Sequence, residues 1–172
     1  YPGDYPAGAL WLTETTDEQG LRTQEFKDKQ DPVVAKRVEN PVVGATGLGN
    51  WLSTYYVYDD FPRLRAVVPP QAAVLMADAA PAQTVTPAVE PLLFRYRYDG
   101  RGRVVAKQVP GQSGETYAVY DQLDRPVLTQ DPAQRARQEW GWVKYDALGR
   151  LLRTRDEQGR VLSQQQYHYA GQ

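Results

Sequence analysis

Histidine, the side chain best suited to move protons near neutral pH, occurs once in this sequence, at His168. Ser163 is at best a strand neighbour, and no acidic partner completes a nucleophile–base pair, so His168 reads as an ordinary strand residue. Cysteine is absent, which excludes disulfides, thiolate metal sites and thiol nucleophiles. Asp59-Asp60 and Asp17-Glu18 each place two carboxylates together. The alternating acidic pattern of a calcium loop is missing, so both pairs read as turn caps. Trp140 and Trp142, with exposed tyrosines, are suited to stacking on sugar rings, which keeps a carbohydrate-binding reading open. No glycine-rich phosphate loop follows a strand and opens a helix. No catalytic residue, metal or cofactor is assigned, and hydrolysis through Asp131 or His168 is the weakest reading.

The chemistry that does recur is electrostatic. Asp17, Asp28, Asp59, Asp99, Asp121, Asp131, Asp146 and Asp156 can be aligned as turn anchors. Four residues after them, Arg63, Arg103, Arg125, Arg135, Arg150 and Arg160 fill six of the eight positions. Three residues after them stand Gly20, Gly102, Gly149 and Gly159, with Asp31 and Asp124 at two others, Pro62 and Gln134 at the rest. An Asp side chain accepts a hydrogen bond from the backbone two residues on and so nucleates a turn. A type I turn closing a hairpin needs positive φ near its end, where Gly costs least and Asp is tolerated. Pro62 does not fit, because its ring fixes a negative φ, so the turn at Asp59 is expected to use another geometry. The Arg belongs on the outgoing strand, where its stem can cover a Tyr ring and its head can reach a turn carboxylate.

The incoming strands carry Tyr58, Tyr98, Tyr120 and Tyr145 directly before the turn Asp. Two residues further back stand Tyr56, Tyr96, Ala118 and Val143. Strand side chains alternate with period two, so each pair shares a face, and stacked hairpins are expected to build Tyr ladders with cross-strand aromatic pairs. Successive Tyr-Asp motifs in the second half lie 22 and 25 residues apart, a short-period repeat whose units must stack to bury their apolar faces.

These turns must be positioned by strands. Tyr (12) far outnumbers Phe (3), and Gly (14) and Pro (13) are scattered among β-formers, as in short strands joined by turns. Strands are expected over 10–16, 22–27, 33–38, 54–58, 92–98, 104–109, 115–120, 126–129, 138–145, 151–155 and 161–169. Residues 39–50 read as a loop. Residues 69–91 break the pattern with Pro69, Pro70, Pro81, Pro87 and Pro91, and the good helix formers of 71–80 predict one short helix. The fold class is therefore all-β, built from antiparallel hairpins. Three regions follow: hairpins over 1–68, an Ala/Pro-rich connection over 69–91, and regular hairpins over 92–172.

Lys plus Arg (20) nearly balance Asp plus Glu (21), so no basic field points to nucleic acid. No apolar run is long enough to span a bilayer as a helix. The chain starts at Tyr1 and stops as a motif begins again at Tyr167-His168-Tyr169, which reads as a window of a longer protein.

The Tyr-x-Tyr-Asp-x-x-Gly-Arg pattern resembles the YD repeat of Rhs (rearrangement hotspot) proteins, notably bacterial ones common in the Bacteroidota. The resemblance is carried by Tyr56, Tyr58, Asp59 and Arg63; by Tyr96, Tyr98, Asp99, Gly102 and Arg103; by Tyr120, Asp121, Asp124 and Arg125; by Tyr145, Asp146, Gly149 and Arg150; and by Asp156, Gly159 and Arg160. Asp31-Pro32 and Pro62 depart from it. The resemblance implies a sheet that spirals into a hollow shell enclosing a C-terminal cargo, often a toxic domain of the polymorphic-toxin type. It implies the rest of that shell and the cargo as partners, and a secreted or cell-surface location. The self-cleavage motif of some Rhs proteins is missing, since Asp31-Pro32 continues to Val33-Val34 and Asp131-Pro132 to Ala133-Gln134. The alternative is a surface adhesin or wall-associated protein binding glycans.

Overall fold

β-Branched and aromatic residues in runs of four to eight, cut by Asp, Gly and Pro, become twelve antiparallel strands in a computed structural model, which describes residues 5–41, 50–78, 84–155 and 161–164. The chain divides into two compact units, one of Tyr1–Tyr96 with Val109–Gly111, the other of Arg97–Gln108 with Gln112–Gln172.

The first unit holds β1 (Trp11–Thr16), β2 (Arg22–Lys27), β3 (Val33–Glu39), β4 (Trp51–Tyr58), β5 (Leu64–Val68) and the first part of β6 (Phe94–Tyr98). Each strand pairs with its sequence neighbours, so the order in the sheet is the order in the chain. In such a meander alternate connections fall on opposite edges. The turns 28–32 and 59–63 therefore share one edge, and the turn 17–21 and the connection 69–93 lie on the other.

The expected short helix is α1 (Pro70–Ala77). Pro70 sits at its first position, where no N–H is needed, and the Ala73 N–H donates to the Pro69 carbonyl. Its small residues Ala72 and Ala73 let the helix approach the sheet, and with Met76 they pack against Val68, Val89, Leu93 and the half-buried Tyr55. A 3₁₀ turn at Glu90–Leu92 returns the chain to β6. This cluster supplies most of the fully buried apolar side chains among the described residues.

The second unit holds the end of β6, then β7 (Val104–Gln108), β8 (Thr116–Tyr120), β9 (Pro126–Gln130), β10 (Gly141–Tyr145), β11 (Leu151–Arg155) and β12 (Val161–Gln164), again in chain order. The turns 99–103, 121–125 and 146–150 share an edge. Asp131 departs from the expected turn. It caps a second helix, α2 (Pro132–Ala136), by accepting from the Gln134 N–H at 2.7 Å, while the Gln134 side chain accepts from the Asp131 N–H at 2.9 Å. This reciprocal box with Pro at the first helical position is a helix-start signal that outweighs the turn spacing. Gln130, nearly buried, donates to the Glu139 carbonyl and ties the far end of this excursion down.

The register slips by one residue beside the turns 28–32, 59–63, 121–125 and 146–150. Tyr58 faces Leu64 although Val57 faces Ala66, and the same shift occurs at Lys27/Val33, Tyr120/Pro126 and Tyr145/Leu151. Such a bulge adds twist, and it allows Pro126 to open a strand without breaking a ladder bond.

Truncating Met76 to Ala in the 172-residue chain is expected to cost about 2–5 kcal/mol in urea unfolding, since the side chain is buried against the sheet. Leu75→Ala, on the exposed side of the same helix, is expected to cost clearly less. Equal losses would mean that α1 does not seal the core through Met76.

Candidate functional site: the row of clasped turns

Among the described residues, each Asp-x-x-Gly-Arg turn is closed by the same set of bonds. At Asp99 the backbone N–H donates to the Arg103 carbonyl at 3.0 Å, and the Gly102 N–H donates to the Asp99 carbonyl at 3.0 Å. Asp99 Oδ1 accepts from the Arg101 and Arg103 N–H groups at 2.9 and 3.0 Å. Oδ2 accepts from Arg103 Nε at 2.7 Å and lies 2.6 Å from its Nη2. One carboxylate thus satisfies two backbone donors and a guanidinium fork. The planar fork of Arg matches this demand, which the point charge of Lys does not.

The arrangement repeats at Asp121, with Leu123, Arg125 and the Arg125 Nε at 2.9, 3.0 and 2.8 Å. It repeats at Asp146, with Leu148, Arg150 and the Arg150 Nε at 2.9, 2.8 and 2.6 Å. Gly102 and Gly149 adopt φ 79° and 78°, and Asp124 takes the same left-handed region at 60°.

The turn at Asp59 was expected to differ because of Pro62. It keeps the clasp: Phe61 and Arg63 N–H both donate to Oδ1 at 3.0 Å, and Arg63 Nε donates to Oδ2 at 2.9 Å. The closing bond from the Asp59 N–H to the Arg63 carbonyl is also present at 3.0 Å. Only the N–H at position 62 is lost, and Pro62 is held at φ 21°. Asp156, Gly159, Arg160 and His168 lie outside the described residues.

The clasps also reach from one turn to the next. The Arg103 guanidinium lies 4.9 Å from the centre of the Tyr120 ring, and its Nη1 meets the Asp121 carbonyl at 3.2 Å and Asp124 Oδ1 at 2.8 Å. Arg101 adds a second bond to Asp124. The Arg125 guanidinium lies 4.7 Å from the Tyr145 ring, and its Nη1 stands 3.8 Å from the position a Cβ would take on Gly149. Tyr120 and Tyr145 donate their hydroxyls to the Val104 and Pro126 carbonyls at 2.7 and 2.8 Å. Tyr58 does the same to Val33 at 3.1 Å. Tyr120 and Tyr145 are thus held by the ring under the preceding Arg and by the hydroxyl on the preceding bulge, and Tyr58 shares the hydroxyl bond.

Direct Tyr–Tyr pairing, expected from the face-sharing pattern, does not occur between neighbouring strands. Tyr-bearing strands alternate with outgoing ones, so Tyr56 faces Val67 and Tyr120 faces Pro126. Tyr96 and Tyr98 are half-buried on β6. Arg135 leaves its helix to lie 4.2 Å from the Tyr117 ring and bond the Glu115 carbonyl. Trp140 and Trp142 are half-buried. Among the described residues no group of three His, Cys, Asp or Glu is placed to hold a metal ion, and no helix is long and apolar enough to cross a membrane.

Neither a family profile nor a curated protein matches the chain. Solved structures do. A structure of the Photorhabdus luminescens Tc holotoxin pore, carrying the TccC3-D651A mutation, matches 88% of the chain at a TM-score of 0.57 and 18% identity. A TcdB2-TccC3-Cdc42 crystal structure matches 86% at 0.62, and a TcdB2-TccC3-TEV structure matches 91% at 0.60, each at 18% identity. The chain has the fold of an Rhs/YD-repeat segment. It spans 6–7% of the length of those toxin chains.

The clasp makes the turn carboxylates acidic. The Arg103 side chain foremost holds Asp99 below the ordinary carboxylate range, and the Arg125 N–H foremost does so for Asp121. At Asp59 and Asp146 desolvation is the largest single effect and pushes upward, but the combined bonds from Arg63 and Arg150 outweigh it and the net shift is downward. A depressed folded pKa gives stability that is present above the unfolded value and lost as pH falls through the folded one. The urea midpoint of the chain is therefore expected to hold from neutrality to about pH 5 and to fall below about pH 4. Asp99→Asn is expected to lower the midpoint at pH 7 and flatten the acid slope. An acid slope unchanged in Asp99→Asn would contradict the clasp as its source.

Proposed function

We propose that this chain is a wall segment of a YD-repeat shell whose task is to enclose a cargo polypeptide of its parent protein. One observation carries the reading: in the clasped turns the Asp and Arg are tied to one another, and Arg103 and Arg125 also tie their hairpin to the next. Arg103 illustrates this, spending its donors on Asp99, the Asp121 carbonyl and Asp124 while its plane covers Tyr120. Such a row suits a rigid surface. The shared fold with TccC3-containing toxin structures supports the same reading. On it, the partners are the neighbouring strands of the shell and the enclosed cargo, and the assembly works after export from the producing cell.

The repeat offers a clean test. Removing residues 99–120, 22 in all, joins Tyr98 directly to Asp121 and deletes one hairpin while preserving a complete Tyr-Asp turn. In the parent protein this excision is expected to leave the fold intact but misalign the wall and expose the cargo to protease. Cargo protection equal to that of the unaltered parent would sink the reading.

A further inference from the structure

The turn 28–32 has the frame of the other turns and lacks their arginine. Its Asp28 N–H donates to the Pro32 carbonyl at 3.2 Å, the Asp31 N–H donates to the Asp28 carbonyl at 3.1 Å, and Asp31 takes the left-handed φ of 75°. Tyr58 places its hydroxyl on Val33 as Tyr120 does on Val104, so its ring stands to this turn as the Tyr120 ring stands to the turn 99–103. Position 32, however, is proline. It supplies neither the backbone N–H nor the guanidinium that the other clasped carboxylates receive. Asp28 Oδ1 accepts only from the Gln30 N–H, at 2.7 Å, and Oδ2 accepts from no described residue.

Where Arg103 or Arg125 lies in the equivalent places, there is here a groove of about 240 Å³. Asp28, Pro32, Tyr56, Tyr58, Asp59 and Pro62 are among its walls, and no Lys or Arg lines it. Asp28 is half-buried at one end, and its charge, after desolvation and Tyr56, helps push the Tyr58 hydroxyl upward in pKa. A carboxylate with open acceptor sites beside an aromatic face is the pair that holds a guanidinium elsewhere in this chain.

We propose that this groove binds an arginine side chain presented by another polypeptide segment, seated over Tyr58 with its fork on Asp28. The inference rests on the groove alone and is independent of the shell reading. Lysine is the poorer fit, because it lacks the planar fork that stacks on the ring and bridges the carboxylate.

The test is an NMR titration of the 172-residue chain with a glycine–serine peptide carrying one arginine, against the same peptide with citrulline, and against methylguanidinium. Saturable shifts at Asp28, Gln30 and Tyr58 are expected with the arginine peptide, at least about tenfold weaker with citrulline, as for a lost charge-assisted bond. Asp28→Asn is expected to abolish them. Should that variant fail to fold, Pro32→Arg decides: it places the chain's own guanidinium in the groove, and is expected to block the peptide and raise the unfolding midpoint. Equal shifts with citrulline, or full binding in a folded Asp28→Asn or Pro32→Arg variant, would overturn the site. Peptide binding no tighter than methylguanidinium would overturn the assignment to a polypeptide.

Discussion

The bond on which the structure depends is the one between a turn aspartate and the arginine four residues later. Few side chains among the described residues are fully buried, and most strand residues are half-exposed. A sheet of that kind cannot rely on a thick core, because the apolar area removed from water per strand is small. The Asp–Arg clasp compensates locally. It converts each hairpin end into a closed ring of hydrogen bonds in which a carboxylate neutralises a guanidinium and satisfies two backbone donors. The bulge beside each clasp then sets where the outgoing strand begins.

The same arginine carries the structure from one hairpin to the next. Residues 103 and 120 are separated by two strands in sequence, yet the meander brings the guanidinium over the ring. Because the clasp fixes the guanidinium before any neighbour arrives, the tyrosine meets a preorganised partner. The repeated contact is one of stacking plus hydroxyl capture, and in the second unit it gives the hairpins after the turns 99–103 and 121–125 the same relation to the one before. This is the property a repetitive wall requires, and it explains why polar residues, more than apolar ones, define the repeat.

Much of the fold was legible in the sequence because turns and strands are local. Asp99, Gly102 and Arg103 announce their hairpin through φ preference and side-chain reach, and the helix formers between Pro70 and Pro81 announce α1. Three features were hidden. The helix at Asp131 shares the Asp-to-Arg spacing of a turn, and only the Pro132 and Gln134 box separates them. The turn at Asp59 was expected to take another geometry because of Pro62, but its clasp bonds run through residues 59, 61 and 63 and need no N–H at position 62. That an arginine covers a tyrosine was expected, but which tyrosine it covers depends on strand order, which period-two patterns do not specify. That last gap also concealed the groove at Pro32, where the frame of a repeat persists without its cation.

The measurement closest to the central claim is a double-mutant cycle on Arg103 and Tyr120 in the 172-residue chain, using Arg103→Met and Tyr120→Leu with urea unfolding. If the clasped arginine ties one hairpin to the next, the two substitutions together will cost less than the sum of each alone, giving a favourable coupling. The same cycle on Arg101 and Tyr120 will show none, since Arg101 turns to Asp124. Strict additivity of Arg103 and Tyr120 would contradict the account.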